Sequence, residues 1–159
     1  MKKRFMVRDM KYYIRFSDKI KRIMIKHTFD DPSRECGGFL FGSIERDLEN
    51  ECVYCDVDGI YYEKRFGNDH EFNFGFTYIR NAYKAQQTLD KELIGTYHSH
   101  GRYPAVFSDI DRNNLQKFFG ENKITIVYSP KYSHLVGEYM DEDGKSYKAK
   151  ILTKNKSVK

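Results

Sequence analysis

Residues 98–111 read HSHGRYPAVFSDID, with His98 and His100 one residue apart, Ser108 eight residues beyond the second histidine, and Asp111 three further on. Two imidazoles and one carboxylate are the donor types that zinc takes. Three protein ligands leave one tetrahedral position for water, the arrangement of a catalytic rather than a structural site. Zinc lowers the pKa of that water, and an enzyme that uses it also needs a base. The best candidate is upstream in SRECGGFLFG, where Glu35 precedes Gly37 and Gly38, two residues that let a neighbouring backbone or a substrate come close.

These side chains need elements that aim them at one point. In LIGTYHSH the alternation of a half-buried strand puts Ile94, Thr96, His98 and His100 on one face and Leu93, Gly95, Tyr97 and Ser99 on the other. SDIDRNNLQKFFG opens on Ser108 with Asp111 three residues later, resembling a capping box, and closes at Gly120. This predicts a helix from 108 to about 119, with Asp111, Leu115 and Phe118 on its core-facing stripe. A carboxylate on that stripe is costly unless partnered, and a dication shared with His98 and His100 removes the cost. An N-cap role by itself also accounts for Ser108.

The ordered set of Glu35 before a Gly-rich apolar strand, then His-x-His, seven residues and Ser-x-x-Asp resembles the JAMM motif of the JAB/MPN metalloprotease family. The order of elements from residue 12 to about 152 looks like a compact prokaryotic JAB domain. The resemblance implies one zinc per chain held by His98, His100 and Asp111, with Glu35 activating the bound water and Ser108 stabilising the tetrahedral intermediate. Many members have proline directly after the second histidine, whereas here Gly101 stands there and the proline is Pro104. That departure bears on the 101–107 loop and the substrate fit, and leaves the ligand set untouched.

At 159 residues, 40% apolar and 16% aromatic, the chain suits one domain with a substantial core. The expected domain is 1–159, with basic tails at about 1–10 and 153–159. Lys2, Lys3, Arg4 and Arg8 at one end and Lys148, Lys150, Lys154, Lys156 and Lys159 at the other contribute +9, so a net charge of +5 leaves residues 9–147 at −4. The basicity therefore belongs to the ends, which disfavours nucleic acid as a partner. The N-terminus lacks the apolar run of a signal peptide and no segment has the length of a membrane span, so the expected location is the cytoplasm. Three cysteines fit a reducing compartment. Strand periodicity sends Cys52 and Cys55 to opposite faces, which argues against a second metal or redox site, and Cys36 reads as a small buried side chain.

The rest of the chain supplies a scaffold. Residues 12–16 alternate as a strand, and Ser17 caps a helix whose Ile20, Ile23, Met24 and His27 form one stripe, with His27 a packed residue rather than a ligand. Strands follow at 36–44 and about 51–62. A polar and aromatic loop then runs to Thr77, with His70 exposed in it. Thr77 is the expected cap of a helix to about Asp90, with Ile79, Ala82, Tyr83 and Leu89 on one face. The strand 123–129 and a hairpin of 134–140 with 146–152 around Asp143-Gly144 complete a mixed α/β fold, a central, partly barrel-like mixed sheet flanked by helices as in MPN/JAB domains.

The family resemblance implies the substrate class: a zinc isopeptidase or peptidase acting at the C-terminus of a ubiquitin-like or sulfur-carrier-like protein, with activating or conjugating enzymes as operon partners. The aromatic residues of 61–76 and the 101–107 loop are the surfaces expected to line its groove. Two other classes compete with it. A non-catalytic MPN-type scaffold binds partners, and members of that type have usually lost ligands that this chain keeps. A DNA-associated JAB-like protein would use the basic tails.

Overall fold

The computed structural model describes residues 10–64, 66–67, 75–100, 104–105 and 123–153. The alternation of residues 12–16 produces strand β1 (Lys11–Phe16), which turns Tyr12, Ile14 and Phe16 inward. Ser17 ends it and starts helix α1 (Asp18–Phe29), accepting the Ile20 N–H at 3.2 Å, a cap worth about 1 kcal/mol. Ile20, Met24 and His27 form the buried stripe as expected, with Thr28 added and Ile23 only half-buried.

Beyond α1 come β2 (Gly37–Asp47), β3 (Cys52–Tyr62), α2 (Gly75–Leu89), β4 (Glu92–Ser99), β5 (Lys123–Ser129), β6 (His134–Met140) and β7 (Ser146–Thr153). The strands close into a barrel in the order β1-β3-β2-β4-β5-β6-β7, with β1 parallel to both β3 and β7. This is the mixed, partly barrel-like sheet the sequence implies. One cluster fills the interior, including Ile14, Leu40, Val53, Cys55, Ile94, Tyr97, Ile124 and Ile126, with Ile20 and Met24 of α1 against it. A second lies outside the barrel, where Tyr78 and Ala82 of α2 cover Phe39, Phe41 and Leu93. The run GGFLFG is apolar throughout because β2 is buried on both faces.

Three expectations need correcting. Helix α2 begins at Gly75 (φ 74°), so Thr77 lies inside it and does not cap it. Its packed residues are Tyr78, Ile79, Ala82, Ala85 and Leu89, whereas Tyr83 is exposed. Tyr78 takes the core position because its hydroxyl, once buried, finds partners in the Gly37 carbonyl at 2.5 Å and the Glu63 N–H at 2.8 Å. Finally, β4 is not half-buried. Residues 93–97 are all buried, and a bulge against Leu40 and Phe41 sends Ile94 to the interior cluster alongside Tyr97.

The predicted 108–119 helix and His70 lie outside the described residues. So do residues 1–9 and 154–159 of the expected tails. Lys148 and Lys150 are exposed positions of β7. Cys52 and Cys55 do face opposite ways along β3: Cys55 joins Val53 and Val57 inside, and burial pushes its thiol up to about 12. All three cysteines are free thiols. Among the described residues no helix is long and apolar enough to cross a membrane.

His27 is a packed residue, 1% exposed and stacked on Tyr62 at 4.1 Å. Its Nδ1 lies 2.7 Å from the Tyr97 hydroxyl, whereas Nε2 has no hydrogen-bond partner among the described residues. Burial lowers its pKa below the ordinary 6.5, outweighing the opposite pull of Asp30 and of the Glu63 backbone. The unfolded chain then binds a proton that the folded ring refuses, so this residue's contribution is full above the unfolded value of about 6.5 and is lost progressively as pH falls from there through the lower folded value. In chelator, the urea midpoint is expected to fall between pH 7.5 and 5.5, and to fall less in His27→Phe. Equal drops in both proteins would exclude His27 as the source.

Candidate functional site

The site is built on the junction of β2 and β4. Their antiparallel register pairs Gly38 with Tyr97 and Gly37 with His98, and the Ser99 N–H continues the ladder by donating to the Cys36 carbonyl at 2.8 Å. The next pair in this register is Glu35 with His100. Side-chain alternation then puts Glu35, His98 and His100 on one face of the sheet and Cys36, Tyr97 and Ser99 on the other. Between the carboxylate and the histidines stands Gly37, which has no side chain to intervene.

The two imidazoles converge. Nε2 of His98 and Nε2 of His100 are 3.2 Å apart, with ring centroids 5.0 Å apart. Two nitrogens bound to one tetrahedral zinc at about 2.0–2.1 Å stand roughly 3.3 Å apart, so this spacing fits a shared ion. The tautomer also fits. His100 Nδ1 lies 2.9 Å from the Pro104 carbonyl, which can only accept, so Nδ1 carries the proton and Nε2 keeps its lone pair for a metal. The His100 N–H in turn donates to the Tyr128 carbonyl of β5 at 3.0 Å, tying the end of the motif to the barrel.

Glu35 is 6% exposed, and its placement depends on its neighbours. Its carbonyl accepts the Gly67 N–H at 2.8 Å, and Arg34 grips the same crossing segment through the carbonyls of Gly67 at 2.8 Å and Phe66 at 3.3 Å. Tyr78 holds the Gly37 carbonyl from the α2 side. On the reverse face His27, Cys36, Tyr97 and Ser99 are all buried. The Tyr97 ring lies so close over Gly38 that a Cβ there would sit 2.5 Å from it. Burial pushes the Cys36 thiol up to about 12, which makes it an inert packing group, as expected of a small buried side chain.

Of the five sequence-predicted site residues, the structure brings Glu35, His98 and His100 to one sheet face. Ser108 and Asp111 lie outside the described residues, as does most of the expected groove lining in 61–76 and 101–107. Among the described residues no group of three or more His, Cys, Asp or Glu side chains is arranged to hold a metal. The supporting residues Tyr78, Tyr97, Ser99 and Arg34 were not singled out from sequence. Tyr97 had no local signal, because its place over Gly38 is set by the β2–β4 register.

Residues 17–144 match the family described as prokaryotic homologs of the JAB domain. No curated protein matches the chain significantly. Among solved structures, the solution structure of protein DSY2949 from Desulfitobacterium hafniense is similar to it with a TM-score of 0.67 and 20% identity, over 90% of this chain and 94% of that one. At that identity the likeness concerns the fold.

Proposed function

Because the chain belongs to the family of prokaryotic homologs of the JAB domain, we propose that it is a zinc-dependent hydrolase of amide bonds at the C-terminus of a ubiquitin-like or sulfur-carrier-like protein. The observation that carries this reading is the pair of Nε2 atoms 3.2 Å apart, with the tautomer of His100 set by Pro104. Asp111 would complete the ligand set. When bound, zinc supplies an acidified water and polarises the scissile carbonyl.

The chain's own residues do the rest. Glu35, on the face of the two histidines, takes the proton of the attacking water and passes it to the leaving amine, the double role that general acid/base catalysis allows. Its buried position keeps bulk water from competing for that proton. Ser108 donates a hydrogen bond to the developing oxyanion. An extended C-terminal tail suits a site of this kind, because main-chain bonds to a strand place the carbonyl without needing a deep pocket. Activating and conjugating enzymes of the ubiquitin-like type are the proposed partners, and the cytoplasm the proposed location.

Full-length protein expressed in zinc-supplemented medium is expected to retain about one zinc per chain by elemental analysis. It is expected to cleave a ubiquitin-like fusion, and to stop doing so when a chelator strips the metal. Metal-free protein from the same medium would sink the hydrolase and favour a partner-binding scaffold.

A further inference from the structure

We propose that Ser99, the residue between the two histidines, is a positioning residue that fixes Glu35 relative to His98 and His100. The proposal rests on the hydrolase reading above, since it deepens the same site. Ser99 is fully buried, and alternation sends its side chain to the face opposite the imidazoles. From there its Oγ accepts the Cys36 N–H at 3.0 Å, while its own N–H donates to the Cys36 carbonyl at 2.8 Å. The hydroxyl proton is directed at the Cys36 sulfur, 3.7 Å away.

The first of these bonds reaches the reacting side of the sheet. The Cys36 N–H belongs to the peptide unit that begins with the Glu35 carbonyl, and that carbonyl accepts the Gly67 N–H at 2.8 Å. One plane is therefore held at both edges, by Ser99 on the N–H and Gly67 on the C=O. Fixing that plane restricts ψ of Glu35, and with it the direction in which its side chain leaves the backbone. In a regular antiparallel pair the Cys36 N–H would go to a backbone carbonyl; here the side-chain hydroxyl receives it. Because Ser99 is covalently flanked by His98 and His100, the residue that orients the carboxylate moves with both imidazoles. Relative placement of base and metal then becomes a property of three consecutive residues.

The test compares full-length wild type with Ser99→Ala and Ser99→Thr, the second keeping the hydroxyl. Ser99→Ala is expected to hold zinc at wild-type stoichiometry and to keep KM little changed, while kcat on a ubiquitin-like fusion falls about 10- to 100-fold, the loss typical of a misplaced catalytic group. Ser99→Thr is expected to recover most of that loss. A second readout needs neither metal nor turnover: in metal-free protein the Cys36 amide of Ser99→Ala should exchange with deuterium about tenfold faster, while β5 amides keep their protection.

Unchanged kcat and unchanged Cys36 exchange in Ser99→Ala would overturn the proposal, leaving the hydrolase reading intact. Loss of zinc in parallel with activity, or faster exchange throughout the barrel, would also overturn it by making Ser99 a general structural residue. If wild type neither holds zinc nor cleaves, the hydrolase reading fails separately. Exchange confined to the Glu35–Cys36 peptide then still decides whether Ser99 holds it.

Discussion

Glu35→Gln is expected to retain zinc at wild-type stoichiometry while its cleavage of a ubiquitin-like fusion falls about 10²- to 10⁴-fold, the range that a general acid/base contributes. The amide keeps the size of the carboxyl group and removes its ability to take a proton. His98→Ala is expected to lose both metal and cleavage, because its Nε2, paired 3.2 Å from that of His100, is one of the two nitrogens available to a shared ion. Elemental analysis and steady-state kinetics on the two variants separate base from ligand. Full activity in Glu35→Gln would sink the proposed proton transfer, and full zinc content in His98→Ala would sink the proposed ligand.

The second large effect is structural. Gly95 of β4 lies against β5 so closely that a Cβ would sit 2.1 Å from the Ile124 carbonyl oxygen and 2.5 Å from Ile124 Cγ1. The first of these is backbone within a ladder and cannot rotate away. Gly95→Ala therefore has to push β4 from β5, at a cost of about 3 kcal/mol, at the upper end for overpacking. In a chain of this size that lowers Tm by about 10 °C. Gly75→Ala is the control, because nothing among the described residues lies within 4 Å of its Cβ position and its positive φ of 74° is the strain that remains, costing about 1 kcal/mol. Thermal unfolding followed by circular dichroism ranks the two. A Gly95→Ala protein as stable as wild type would rule out the close β4–β5 approach.

The histidine pair was legible because histidine is rare in this chain and the spacing is short, so strand alternation alone put His98 and His100 on one face. Ser17 was legible as a cap because a hydroxyl at a strand-to-helix junction has one strong local use, and strand 123–129 because β-branched residues fill it. The face of α2 was not. Tyr78 and Tyr83 are equally apolar by composition, and the choice between them depends on a carbonyl of Gly37 that is distant in sequence. The bulge at Ile94 was hidden for a similar reason, since it arises from the partner strand's register while LIGTYHSH reads as smooth alternation. Barrel closure was only partly legible: the hydrophobic pattern says that β1 and β7 are strands, without saying that they pair.

That closure has a bearing on how the chain comes to fold. In β1, Tyr12 lies opposite Val53 on one side and Ala149 on the other, so the strand made first waits for partners made about 40 and about 140 residues later. During synthesis β2, β3 and β4 emerge before β7, so the strands that carry Glu35 and His98 are available while the far seam of the barrel still lacks its last strand. Docking of β7 beside β1 is a contact of long sequence separation, a kind that forms slowly. Until then β1 presents a bare edge, and Lys11 and Arg15 on its outward face discourage a second copy from adding a strand there.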